Sequence, residues 1–201
     1  MNQRDRRLEV SEAAWRVIVR EGLDRTSMRA IAQEMGCTTG VVTHYFRNKQ
    51  ELILFALHQV TARLQAMMQA AIAEAAGTGQ LIAMLCAFLP LDPERQAILK
   101  VWVAFLGYAV GRENLMAEHQ QSAAQLRGLI IQELQALQSS HLIRADVEPE
   151  VEANVLLALV NGLSLDSLIQ SNSLSPDSQE KAVRLYVESR LSPGENSANS
   201  L

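Results

Sequence analysis

The chain has 201 residues, 48% hydrophobic and 20% charged, with only 5 prolines and 10 glycines, enough apolar material for a substantial core and too few breakers for a loop-rich chain. No uninterrupted apolar run of about 18 residues marks a membrane span, and no apolar stretch follows the basic start MNQRDRRLEV, so the expectation is a soluble, reduced, cytoplasmic protein without a secretory leader. The net charge of -4 hides an excess of three positive charges over residues 1–50 and of seven negative charges over 51–201, the balance of a DNA-binding head on a solvated body.

Residues 5–21 place Leu8, Ala14, Trp15, Ile18 and Val19 at spacings of three and four, which predicts an amphipathic helix stopped by Gly22. Thr26 and Ser27 offer caps for a short helix over 28–35, with Met28, Ile31, Ala32 and Met35 on one face and Gly36 at its end. A third short helix starts after Thr38 or Thr39 and runs to about Phe46. Asn48 caps a fourth that continues to about Ala75, roughly 40 Å at about 1.5 Å per residue. Beyond the break Gly77-Thr78-Gly79, helices are expected over 80–89, 94–111, 115–139, 149–171 and 177–191, and a disordered polar tail over 192–201. No period-two pattern is sustained. The predicted fold class is all-α, with about nine helices, divided into an N-terminal three-helix helix-turn-helix domain over 1–47 and a larger helical domain over 48–191.

The stretch from Ser27 to Tyr45 carries the most chemistry. Two helices of about eight residues flank a turn at Gly36, where positive φ is best tolerated. Ala32 is small enough to let the two helices cross closely. The second helix is rich in small polar groups: Thr38, Thr39, Gly40, Thr43, His44 and Tyr45. A recognition helix enters a major groove about 12 Å wide and presents hydrogen-bonding groups to base edges. Threonine hydroxyls donate or accept there, threonine methyls meet thymine methyls, and His44 and Tyr45 reach bases or phosphates. Lys49, at the start of the fourth helix, is placed to meet a backbone phosphate beside that helix's free amides.

The run TSMRAIAQEMGCTTGVVTHYFRNKQELI resembles the DNA-binding signature of the TetR family. It has the small-residue second helix, the glycine turn, and a third helix ending in Tyr-Phe before a basic residue, Asn-Lys and Glu-Leu. TGVVTHYFRNK, with KVWVAFLGYAVGRENL and LALVNGLSLDSLIQSNSLSP further along, is similar to the BetI-type repressors. The resemblance implies that Thr38, Thr39, Gly40, Thr43, His44 and Tyr45 face the groove of double-stranded DNA. It implies too that Ser27, Arg29 and Lys49 hold phosphates. It further implies a homodimer reading a palindromic operator, and a C-terminal domain that dimerises and binds a small-molecule inducer. A second reading is a regulator of the same type without a small ligand, controlled by a partner protein or activating rather than repressing.

Residues 151–169 are apolar almost all round, which a surface helix cannot be. One side can pack on the chain's own core while another must be buried by something else. The resemblance implies that this helix and the next pair with their copies. That makes Leu156, Val160, Gly162 and Leu163, with Tyr186 on the next helix, the candidate dimer contacts, Gly162 permitting close approach. The other reading is that both helices are internal core. For the ligand, Trp102, Phe105, Leu106 and Tyr108 share one helix, and Met67 and Phe88 join them by the resemblance. Trp102, Phe105 and Tyr108 are read either as a box for a quaternary ammonium such as choline or as ordinary core. His58 and His119 are not spaced for a metal, nor are Cys37 and Cys86. No pairing of nucleophile and base, glycine-rich phosphate loop or cluster of catalytic carboxylates is present in the sequence, so neither an enzyme nor a cofactor is expected.

Overall fold

The computed structural model describes residues 3–169 and 174–193. The described residues form nine α-helices and a terminal π-helical turn, with no strand among them. The expected tail falls, from residue 194 on, outside the described residues.

The first four helices follow the punctuation of the sequence. α1 (Gln3–Glu21) ends at Gly22, whose φ of 78° lies in the left-handed region. α2 (Met28–Glu34) is capped by Ser27, whose Oγ accepts from the Ala30 N–H at 3.1 Å. Gly36, with φ 63°, turns the chain into α3 (Thr39–Tyr45). α4 (Lys49–Ala73) has a reciprocal cap: Asn48 Oδ1 accepts from the Glu51 N–H, and the Glu51 carboxylate accepts from the Arg47 N–H, both at 2.9 Å. There follow α5 (Thr78–Cys86), α6 (Pro93–Ala109), α7 (Glu113–Ser139), α8 (Pro149–Ile169) and α9 (Pro176–Tyr186), the last running into the π-helical turn Val187–Leu191.

Packing divides the chain into two compact units, residues 1–63 with 97–118, and residues 64–96 with 119–201. This differs from the division at residue 47 drawn from the sequence. The reason is that α4 is uninterrupted there and its first half completes the cores of the head. In the first unit, Val10, Ala13, Ala14 and Val17 of α1 close on Ile31, Ala32, Val42, Phe46 and Leu52. A neighbouring cluster joins Ile18 and Leu23 to Ile53 and Leu57 of α4 and to Val101, Phe105 and Ala109 of α6. Ile31, Val42 and Phe46 are fully buried, each removal from water being worth about 1.5–3 kcal/mol.

In the second unit, Leu81 and Leu85 of α5, Ile130, Leu134 and Leu137 of α7, Leu156 and Val160 of α8, and Val183 and Val187 form one core. α8 is long and apolar enough to cross a membrane by length and composition alone, its most apolar stretch of 18 residues having a mean hydropathy of 1.3. Its Asn154 and Asn161 interrupt the apolar run, yet the average stays at that level. Ala153, Leu156, Val160 and Ser164 are the face it buries.

Two corrections to the dimer residues follow. Leu156 and Val160 are 0% and 4% exposed inside the core of their own chain, so they have no surface to offer a second copy. Leu163 and Tyr186 also pack against that core and are half-buried, whereas Gly162 is exposed.

Candidate nucleic-acid interface

α3 buries Val42 on one side, with Phe46 following it into the same core. That anchoring turns the rest of the helix outward. Thr38, Thr39, Gly40, Thr43 and His44 are exposed. The sequence-predicted groove-facing residues are thus brought together on one surface, with Tyr45 at its edge. Tyr45 is half-buried, and its ring meets the His44 ring edge-on, centroids 4.9 Å apart at 87°. The Thr43 hydroxyl lies within 3.1 Å of the Thr39 carbonyl oxygen and 3.3 Å of that of Gly40. Its hydrogen is thereby engaged, and what it presents outward is a methyl group and an acceptor.

Ser27 and Arg29, at the start of α2, are exposed. Because the Ser27 oxygen accepts its cap bond, the hydroxyl hydrogen remains able to donate to an anion. Lys49 departs from the simple expectation of a side chain held out for phosphate. It is half-buried, its Nζ donates to the Leu23 carbonyl at 2.6 Å, and it lies 5.4 Å from the centroid of the Tyr108 ring. Burial pushes its pKa down, the Asp24 carboxylate pulls it up, and the Arg112 guanidinium pushes it down again.

Arg7 was not singled out in the sequence. Its guanidinium stacks over Phe46 and Phe55, 4.7 and 4.9 Å from the ring centroids, and pairs with Glu51 at 3.1 Å. Since Glu51 also binds the Arg47 N–H, Arg7 ties α1 to the junction of α3 and α4. Nothing local in sequence marks it, because its partners lie on other helices. On the outside of α1 and α2, Arg16 and Arg20 both bind the Glu34 carboxylate at 2.8 Å, which holds its pKa below the usual carboxylate range.

A profile of the bacterial regulatory proteins of the tetR family matches residues 11–55, and one of the C-terminal part of BetI-type transcriptional repressors matches residues 77–192. The chain belongs to the TetR family. Among curated relatives, this TetR-family chain is 30% identical to the HTH-type transcriptional regulator PksA of Bacillus subtilis, over 92% of its own length and 89% of the relative's. It is 24% identical to the HTH-type transcriptional regulator BetI of Vibrio parahaemolyticus, over 92% of each. A solved protein from Saccharomonospora viridis, crystallised in complex with choline, shares the fold with a TM-score of 0.87 at 20% identity, covering 93% of this chain and 97% of that one. The helix-turn-helix described above is the DNA-binding element of a TetR-family transcriptional regulator.

The proposed ligand residues fall in different units of this TetR-family regulator. Met67 and Phe88 are half-buried in the second, and Phe88 packs on its core. Trp102, Leu106 and Tyr108 are half-buried in the first. Phe105, 1% exposed, is core rather than wall, because α6 turns it onto α1 and α4. The Tyr108 ring is also engaged, by the cations of Lys49 and Arg112. An aromatic box of Trp102, Phe105 and Tyr108 therefore does not stand. A cavity of about 250 Å³ lies elsewhere in the second unit, lined by residues that include Arg144, Glu148, Val151 and Arg190, none of them a predicted ligand residue. Among the described residues no group of three or more His, Cys, Asp or Glu side chains is placed to hold a metal.

Proposed function

We propose that this protein is a sequence-specific transcriptional repressor that binds a palindromic operator as a homodimer and is released by a small-molecule inducer. The observation that carries the DNA-reading part is the outward face of α3, where Thr38, Thr39, Gly40, Thr43 and His44 stand exposed over a fully buried Val42. A helix so anchored enters a major groove as a rigid body. Base edges meet the threonines, and phosphates meet Ser27, Arg29 and Lys49. Its place of action is the cytoplasm, with the DNA.

The dimer reading moves to the opposite face of α8. Val151, Val155, Leu165 and Ile169 are 56, 40, 38 and 76% exposed, and Ala158 and Gly162 lie exposed between them. The spacing alternates between four and three, so these six residues make one apolar stripe along the helix, which a second copy would cover. Leu185 on α9, 53% exposed, extends it. Two heads on a two-fold axis then read half-sites about one helical turn apart.

Induction requires a ligand that binds the released conformation more tightly than the DNA-bound one. Because the Saccharomonospora viridis protein was crystallised with choline, quaternary ammonium compounds are the first class to test. The deciding experiment is selection of bound duplexes from a random library by the full-length protein. Enrichment of an inverted repeat supports the reading, and its loss on adding a screened compound supports induction. Enrichment of no sequence would sink the operator claim.

A further inference from the structure

Lys49 begins α4 directly beyond the groove-facing helix, and its ammonium is held by residues remote in sequence. Its Nζ donates to the Leu23 carbonyl oxygen, 2.6 Å away in the turn after α1. The Tyr108 ring of α6 lies beneath it, 5.4 Å from Nζ to centroid. Tyr108 is itself fixed from its own side. The Arg112 guanidinium sits 3.9 Å from the same ring centroid and also donates to the Tyr108 carbonyl. An ammonium has three N–H donors. The Leu23 carbonyl takes one and the negative face of the ring attracts the cation along a second direction, which leaves an N–H for another acceptor.

We propose that Tyr108, outside the helix-turn-helix, is a positioning residue of the DNA interface, holding the Lys49 ammonium where one N–H meets a backbone phosphate. The proposal rests on the reading that Lys49 is a phosphate contact. Lysine side chains are flexible, and a free one must be ordered when it binds. Here the ordering is done in advance by a ring on α6. The ring attracts both the Lys49 ammonium and the Arg112 guanidinium, the charge that disfavours protonated Lys49, while the Asp24 carboxylate favours it. Removing the ring leaves the Leu23 carbonyl as the one remaining described contact of the ammonium, with the Arg112 charge still opposing it, and Lys49 swings away from the phosphate position.

The test is fluorescence anisotropy of the full-length protein with a labelled duplex of mixed sequence, titrated over KCl concentration. Lys49→Ala is expected to flatten the slope of log K against log[KCl] by about one. Tyr108→Leu is expected to flatten it by a comparable amount, Tyr108→Phe to leave it unchanged because the ring is kept, and Tyr108→Leu to add nothing in the Lys49→Ala background. A normal slope for Tyr108→Leu beside a flattened one for Lys49→Ala overturns the role of Tyr108 and leaves the phosphate contact standing. A normal slope for Lys49→Ala removes the phosphate contact itself, and the proposal with it. Circular dichroism verifies folding, and Tyr108→Met, which keeps volume without a ring, replaces Tyr108→Leu if that variant is unfolded at the assay temperature.

Discussion

The Tyr186 hydroxyl donates a 2.8 Å hydrogen bond to a Glu152 carboxylate oxygen, tying the end of α9 to the first turn of α8. These are the two helices that carry the exposed apolar stripe and Leu185, so this bond fixes the surface on which a second copy would dock. Burial, and then the bond to Glu152, raise the Tyr186 pKa above its usual 10. The folded state therefore favours neutral tyrosine more than the unfolded state does. The resulting stability is complete below the unfolded pKa and is lost as pH rises through the folded one. Wild-type protein should lose stability above about pH 10 more steeply than Tyr186→Phe. At pH 7 the variant should be about 1 kcal/mol less stable, the scale of one partly exposed hydrogen bond. Urea melts across pH 7 to 11 check both, and parallel curves for the two proteins would remove Tyr186 as the source.

The two faces of α8 should respond differently to substitution. Leu165→Asp places a charge on the exposed stripe and should leave a folded protein sedimenting at single-chain mass at micromolar concentration. Leu156→Ala, from the buried face, should lower stability by about 2–5 kcal/mol through the cavity it leaves. If Leu165→Asp sediments as the wild type does, the stripe is not the interface.

How far the sequence led depended on contrast between neighbouring residues. α1 to α3 alternate apolar and polar residues and are punctuated by Gly22, Ser27 and Gly36, so their boundaries and the outward face of α3 were readable. α8 lacks that contrast. With Val151, Val155 and Leu165 as apolar as Leu156 and Val160, periodicity could mark the helix as doubly buried but not tell which face was which. Phe105 and Tyr108 illustrate a different limit. Their aromatic character was plain, yet their roles depend on Ile18, Ile53 and Lys49, which only the tertiary fold brings near. Arg7 was missed for the same reason.

Gly36 turns the helix-turn-helix at φ 63°, and a Cβ there would meet nothing within 4 Å. Gly36→Ala therefore suffers backbone strain alone, about 1 kcal/mol or slightly more. Gly107, in α6, is equally open but has no positive φ. Gly107→Ala should stabilise by a few tenths to about 1 kcal/mol, because alanine loses less backbone freedom on folding. Opposite signs in paired thermal melts are the expected result. A stabilising Gly36→Ala would mean the turn is not held left-handed in solution.

Cys86 should be chemically quiet in the folded protein. It closes α5, half-buried, and burial is the main cause that pushes its thiol up to about 11. Glu180 raises it further while Arg184 and Arg95 oppose. At pH 8 only about one thiol in a thousand is then thiolate, against roughly a quarter for an unfolded cysteine near pKa 8.5. Alkylation by iodoacetamide, followed at Cys86 by peptide mass spectrometry, should therefore run at least about tenfold slower in buffer than in denaturing urea, the greater nucleophilicity of a high-pKa thiolate offsetting part of its scarcity. The folded rate should also climb with pH well beyond 9, where an unperturbed thiol has begun to level off. Equal rates in buffer and urea would show that α5 does not shelter the thiol. Its neighbours give a second check: Arg95 holds the Cys86 carbonyl at 3.0 Å and pairs with Asp92 at 2.6 Å. Arg95→Ala should free the segment after α5 and speed the reaction, even though it removes a positive charge that favours the thiolate. If the lost charge wins instead, alkylation slows, and electrostatics rather than access governs the thiol.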